Sequence, residues 1–174
     1  MTLDPIITLV LGGARSGKSR YAETLAESAG AGLYLATAQP RDGEMEERVR
    51  LHQERRGDIW TTLEEPLNLA QTIAEQASPN HMVLVDCLTL WLANLMEAEK
   101  DIDQETDKLC ETLGNAKGPV VLVSNEVGMG IVPENPLARA FRDHQGRINQ
   151  TVAATADKVV FVAAGLPLTM KDET

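Results

Sequence analysis

Eight residues near the start of the chain, Gly12-Gly13-Ala14-Arg15-Ser16-Gly17-Lys18-Ser19, restrict its fold more than any other segment. They follow an apolar run from Ile6 to Leu11 and lead into a helix-like stretch over residues 17–29, so they read as a turn from strand to helix. The run satisfies G-x-x-x-x-G-K-[ST]. A glycine-bearing loop in that position turns several backbone N–H groups toward one anion, and the partial positive charge of the helix N-terminus adds to the attraction. Lys18 then reaches the β- and γ-phosphates of a nucleoside triphosphate, and Ser19 is placed to ligate Mg²⁺. Arg15, inside the loop, suits either a phosphate contact or a solvent-exposed position.

Further strand candidates are Gly32 to Ala36, Met82 to Asp86, Val120 to Val123 and Val159 to Ala163. Helical patterns occupy 44–56, 66–77, 88–98, 104–114 and 136–156, the last opening near Pro133 and Pro136, where a proline costs a helix nothing. Strands apolar on both faces and separated by helices predict an α/β fold with a mostly parallel sheet covered on both sides. With 174 residues, 43% of them hydrophobic, the chain suffices for one core, and a single domain over 1–174 is expected. Nothing is assigned after Gly165.

The formal net charge of -10 opposes nonspecific attraction to nucleic acid or to an anionic membrane, so neither is expected as a partner. Charge is uneven: residues 1–56 hold eight Lys/Arg against eight Asp/Glu, and residues 57–174 hold eight against eighteen. The acidic stretch from Glu97 to Glu111 reads as a solvated linker and helix face. Cys87 and Cys110 lack metal-ligand spacing and read as reduced, mostly buried thiols. No apolar run reaches membrane-spanning length, and no basic region precedes a signal-like core; a cytoplasmic location is expected.

Two further positions carry possible chemistry. Asp86 closes a strand, where it would either approach the metal shell or cap the next helix. His52 shares a helix face with Arg48 and Arg55 at i, i+4, i+7 spacing; it is either a surface residue or a nucleophile whose neutral form the guanidinium groups favour. Kinase, switch and other transferase all remain open, although neither N-K-x-D nor D-x-x-G after Asp86 supports a switch.

Beyond these, Ala36-Thr37-Ala38, the Arg48-to-His52 segment, Ser124-Asn125-Glu126-Val127-Gly128-Met129-Gly130-Ile131-Val132-Pro133-Glu134-Asn135, Arg139-Ala140-Phe141-Arg142-Asp143 and Gly146-Arg147-Ile148-Asn149-Gln150 stand in the chain. Together with the loop they resemble the bifunctional adenosylcobinamide kinase/adenosylcobinamide-phosphate guanylyltransferases of cobalamin biosynthesis, over nearly the whole length. The resemblance implies a P-loop NTPase-type, RecA-like fold, a homotrimer, and two reactions. Adenosylcobinamide is phosphorylated by ATP or GTP, and GMP from GTP then passes through a guanylylated histidine to the new phosphate. It implies His52 as nucleophile and Lys18 as catalytic. It also implies nucleotide contacts at Gly12, Gly13, Ala14, Arg15, Ser16, Gly17, Lys18, Ser19, Ala36, Thr37, Ala38, Gln53, Glu54, Arg55, Glu64 and Asp86, with Ser19 and Asp86 at Mg²⁺. Glu64 would read guanine N–H donors or be a solvated turn carboxylate.

Overall fold

The computed structural model describes residues 3–30, 32–39 and 59–174. The strands are β1 (Ile7–Gly12), β2 (Gly32–Ala36), β3 (Thr61–Glu64), β4 (Met82–Asp86), β5 (Val120–Asn125), β6 (Lys158–Ala163) and β7 (Leu166–Asp172). The helices are α1 (Lys18–Ser28), α2 (Leu69–Gln76), α3 (Leu88–Glu97), α4 (Ile102–Gly114) and α5 (Pro136–Thr155). One sheet runs in the order β3-β2-β4-β5-β1-β6-β7. Its pairs are parallel except β6 with β7.

Alternation along the strands sorts side chains into two cores. Ile7, Leu9, Leu33, Leu35, Val83, Val85, Val120 and Leu122 join Leu69, Trp91, Leu92, Leu109 and Ile148 from α2 to α5. Val10, Tyr34, Ala36, Leu84, Val121 and Val123 face the other way, against Ala22 and Ala26 of α1. The central strand β5 is buried throughout until its last residue, which is why it reads as an unbroken apolar run. At two helix starts the caps are explicit. Asp101 accepts from Gln104 N at 3.0 Å, and Asn135 accepts from Leu137 N at 2.8 Å with Pro136 in the first turn.

The five expected strands are present with ends shifted by a residue or two, and the helices expected at 17–29, 66–77, 88–98, 104–114 and 136–156 correspond to α1 to α5. The helix expected over 44–56 lies outside the described residues. Two strands were not expected. β3 is exposed along its length, and β7 is a largely exposed edge carrying Pro167, so neither shows the apolar signature of a buried parallel strand. Ala164 and Gly165 join β6 to β7 with φ of 51° and 78°, the positive values a two-residue type I′ hairpin demands.

Leu122, fully buried in β5, contacts the core beneath α3 to α5. Leu122→Ala should lower unfolding free energy by about 2–5 kcal/mol through lost burial and a residual cavity, seen as a lower urea midpoint at unchanged slope. A midpoint equal to wild type would contradict this packing.

Candidate functional site

The turn between β1 and α1 is shaped by close approach. A Cβ on Gly12 would stand 2.4 Å from Ser16 Oγ and 2.6 Å from Val162 O, so only hydrogen fits there. Gly17 adopts φ of 94°, a left-handed conformation glycine takes without strain, and α1 begins at the next residue. Ser16 N donates to Gly13 O at 3.3 Å, and the β6–β7 hairpin braces the loop from outside through Gly165 N donating to Ser16 O at 2.8 Å. Ser16 Oγ is buried and unpartnered among the described residues. Lys18 is 8% exposed, and its Nζ donates to Gly13 O at 3.0 Å, which holds the ammonium over the loop. Ala14 and Arg15 are exposed, and Ser19 is half-buried.

The loop lies at the carboxyl edge of the parallel strands, the side where open α/β sheets bind ligands. Register aligns Gly12 with Asn125, Ala36 with Asp86, and Ala36 with Glu64. Since alternation is strict, Gly12, Asn125, Asp86, Ala36 and Glu64 all belong to the face covered by α1. β5 separates β4 from β1, and Asp86 pairs with Val123 while Gly12 pairs with Asn125, so Asp86 and Gly12 stand two strand spacings apart across the sheet and two residues apart along it, roughly 12 Å.

Asp86 Oδ2 accepts from Tyr34 Oη at 2.7 Å, and Trp60 meets Tyr34 edge-on at 6.0 Å between ring centroids. This ties Asp86 into the sheet face rather than over the start of α3; that helix begins without a side-chain cap. Thr37 is buried with every polar group engaged. Its N–H donates to Asp86 O, its Oγ1 accepts from Cys87 N and donates to Cys87 O at 2.8 Å each, and its carbonyl accepts from Asn94 Nδ2 at 2.8 Å. Thr37 thus braces the ends of β2 and β4. Of the two neighbouring glutamates, Glu65 accepts from Leu67 N and Asn68 N, whereas Glu64 is exposed at the sheet edge.

Sequence reasoning missed a buried polar cluster behind β5. Ser124 Oγ donates to Asn149 Oδ1 at 2.6 Å, Gln145 Nε2 donates to both, and Asn149 Nδ2 reaches Asn125 O at 3.1 Å. The available signal was polar Gln145 and Asn149 four positions apart on an otherwise inward-facing stripe of α5. His52, Gln53, Glu54 and Arg55 lie outside the described residues. Of the other histidines, His81 pairs with Ser78 at the amino end of β4, opposite the loop, and His144 neighbours Arg147 on α5. Among the described residues no group of three His, Cys, Asp or Glu would hold a metal unaided. A cation near Ser19 and Asp86 would therefore share its coordination with phosphate oxygens and water.

Both cysteines are free, Cys87 buried and Cys110 half-buried. Burial above all, and next the Asp86 charge, pushes the Cys87 thiol up to about 11.

The family model described as cobinamide kinase / cobinamide phosphate guanyltransferase matches residues 8–170. A bifunctional adenosylcobalamin biosynthesis protein of Pseudomonas aeruginosa, CobP, is 48% identical over 168 residues, spanning 95% of this chain and 97% of that protein. The correspondingly named CobU of Salmonella typhimurium is 42% identical over 181 residues, covering 95% and 100%. Among solved structures, the RadB recombinase superposes with TM-score 0.53 at 16% identity, over 92% of this chain and 75% of that one. The P4 protein of bacteriophage phi6 in complex with ADP gives TM-score 0.53 at 17% identity, over 95% and 54%. The architecture is thus the P-loop NTPase-type, RecA-like sheet expected from the sequence.

Lys18→Ala removes a charge-assisted donor and should weaken nucleoside triphosphate binding about 10- to 100-fold, measured by calorimetric titration; undiminished affinity would contradict the loop's role. In the folded protein Cys87 should resist iodoacetamide at pH 8 and react after urea unfolding, as mass spectrometry would show. Rapid labelling of native Cys87 would contradict its burial.

Proposed function

The chain belongs to the cobinamide kinase / cobinamide phosphate guanyltransferase family, and from that premise we propose how its own residues perform the family's two transfers. Gly12 to Ser19 cradle a nucleoside triphosphate, ATP or GTP, and Lys18 neutralises its β- and γ-phosphates. The aminopropanol hydroxyl of adenosylcobinamide attacks the γ-phosphorus, and nucleoside diphosphate leaves. Positioning and charge compensation carry such a step, with little covalent help from protein. In the second reaction His52 attacks the α-phosphorus of GTP and releases pyrophosphate. The guanylylated imidazole then gives GMP to adenosylcobinamide phosphate, producing adenosyl-GDP-cobinamide and restoring His52.

The observation that carries this reading is the buried Lys18 ammonium held over a glycine-shaped loop at the sheet's carboxyl edge. Ser19 and Asp86 are hard oxygen donors suited to Mg²⁺, which when bound would offset phosphate charge. The exposed Glu64 carboxylate is the group we assign to the guanine N1–H and N2–H₂ donors, since Glu65 is committed to Leu67 N and Asn68 N. Ala36 and Ala38, beside Thr37, would border the nucleotide along that edge, and Gln53, Glu54 and Arg55 would meet it next to His52.

A homotrimer is part of the same proposal. Leu166, Leu168 and Met170 lie exposed on edge strand β7, and Met129, Ile131 and Val132 lie exposed in the loop after β5. Apolar surface of this kind on an unpaired edge favours burial against another copy. The net charge of -10 disfavours nucleic acid as a partner. No described helix is long and apolar enough to cross a membrane, and the free thiols accord with a cytoplasmic location.

Incubation with GTP labelled at the α-phosphate tests the reading. Label on the protein that is acid-labile and base-stable, and absent from His52→Ala, is expected. An unlabelled protein that still phosphorylates adenosylcobinamide would reduce the activity to that of a kinase. Light scattering should return three times the chain mass.

A further inference from the structure

Tyr34 stands in the middle of β2, 5% exposed, in the core that faces α1. Its hydroxyl, cut off from water, needs a partner inside the protein. The partner is on the neighbouring strand: Tyr34 Oη donates to Asp86 Oδ2 at 2.7 Å. In register Tyr34 lies beside Leu84, and Asp86 is two residues further along β4 on the same face, so the phenol leans toward the carboxyl edge to meet the carboxylate.

Both ends of this bond are held. The Tyr34 ring meets Trp60 edge-on, with 6.0 Å between centroids and 88° between planes, and Trp60 is itself buried. On the other side Thr37 ties down the end of β4: its N–H donates to Asp86 O at 3.2 Å, and its Oγ1 exchanges hydrogen bonds with the backbone of Cys87. Asp86 Oδ1, by contrast, makes no hydrogen bond among the described residues. A carboxylate with one oxygen taken up in this way offers a single oxygen to a cation. That suits Mg²⁺, whose octahedral shell at roughly 2.0–2.1 Å keeps several waters, and it handicaps Ca²⁺, whose wider shell readily takes both oxygens of a carboxylate.

We propose that Tyr34 is a positioning residue that makes Asp86 a one-oxygen ligand and so selects Mg²⁺ over Ca²⁺ beside the bound nucleotide. This rests on the reading that Asp86 meets the cation accompanying phosphate in the Gly12-to-Ser19 loop. Among the described residues no three metal-binding side chains gather, so few protein groups discriminate between cations, and the number of oxygens that Asp86 presents weighs heavily. For Ca²⁺ to take both oxygens, Oδ2 must give up the Tyr34 hydroxyl, and a hydrogen bond to a charged group in a buried place is among the strong ones. For Mg²⁺ nothing is broken. Tyr34 acts through Asp86.

Full-length Tyr34→Phe keeps the ring and its packing against Trp60 and removes only the donor. The probe is GDP, which has no γ-phosphate to transfer, titrated calorimetrically in excess Mg²⁺, in excess Ca²⁺ and in chelator, with melting temperature as the check on folding. The affinity of GDP for each cation in solution is common to both proteins and cancels. Wild type should bind GDP more tightly in Mg²⁺ than in Ca²⁺, and in Tyr34→Phe that preference should fall about tenfold, the size expected for one hydrogen bond to a charged group. Affinity in chelator should stay within about threefold of wild type, which a general loosening of the site would not allow. A cation preference unchanged in Tyr34→Phe, or an equal loss of affinity in all three conditions, would overturn the proposal. Should that variant fail to fold, protein made with ring-fluorinated tyrosine in a Tyr21→Phe background tests the same bond without removing it. The more acidic phenol donates more strongly and should raise the preference for Mg²⁺; a preference that stays or falls would count against Tyr34 as decisively. Wild-type GDP affinity indifferent to both cations, or a cation preference intact in Asp86→Asn, would instead remove the reading on which the proposal stands.

Discussion

The carboxyl end of β1 passes so close to the start of α1 that only a hydrogen atom fits at Gly12, between Ser16 Oγ and Val162 O. From this close approach the rest of the site follows. A chain that reverses direction so tightly must present backbone instead of side chains at the turn, and backbone N–H groups at a helix start form an anion cradle. The hairpin between β6 and β7 closes the outer side, where Gly165 N holds Ser16 O and a Cβ on Gly17 would stand 3.1 Å from Gly165 Cα. An antiparallel edge ribbon, remote in sequence, therefore fixes the shape of a loop that motif reading treats as self-sufficient.

Electrostatics set a second constraint. The protein carries a net charge of -10, and two carboxylates, Asp86 and Glu64, share the sheet face onto which the loop opens. In the proposed chemistry a triphosphate is drawn in against that background by short-range donors, since field strength near a helix terminus and a buried ammonium decays within a turn or so. In the proposed chemistry the carboxylates keep distinct tasks because they differ in setting. Asp86 is tethered by Tyr34 and braced through Thr37, whereas Glu64 is exposed at the edge. Thr37 belongs to this support, its polar groups spent on Asp86, Cys87 and Asn94.

Much of the fold was legible because buried parallel strands must be apolar on both faces and helices between them must be amphipathic. β3 and β7 escaped for the reason that makes them edge strands: with water on their flanks, they need no apolar pattern to be stable where they are. Within the site, Gly12 to Ser19 were legible as a contiguous motif. The buried set of Ser124, Gln145 and Asn149 draws on two elements 21 positions apart at the nearest, a separation no local pattern spans.

Sequence by itself determined the phosphate loop, the alternation of strand and helix and the family, because each depends on residues that are neighbours along the chain. Tertiary structure alone decided the order of the strands, the insertion of β5 between Asp86 and Gly12, and the common face on which Gly12, Asn125, Asp86 and Glu64 meet. Strand register and pairing are set by how two cores close around the sheet, and that closure is a property of the whole packed chain rather than of any stretch of it.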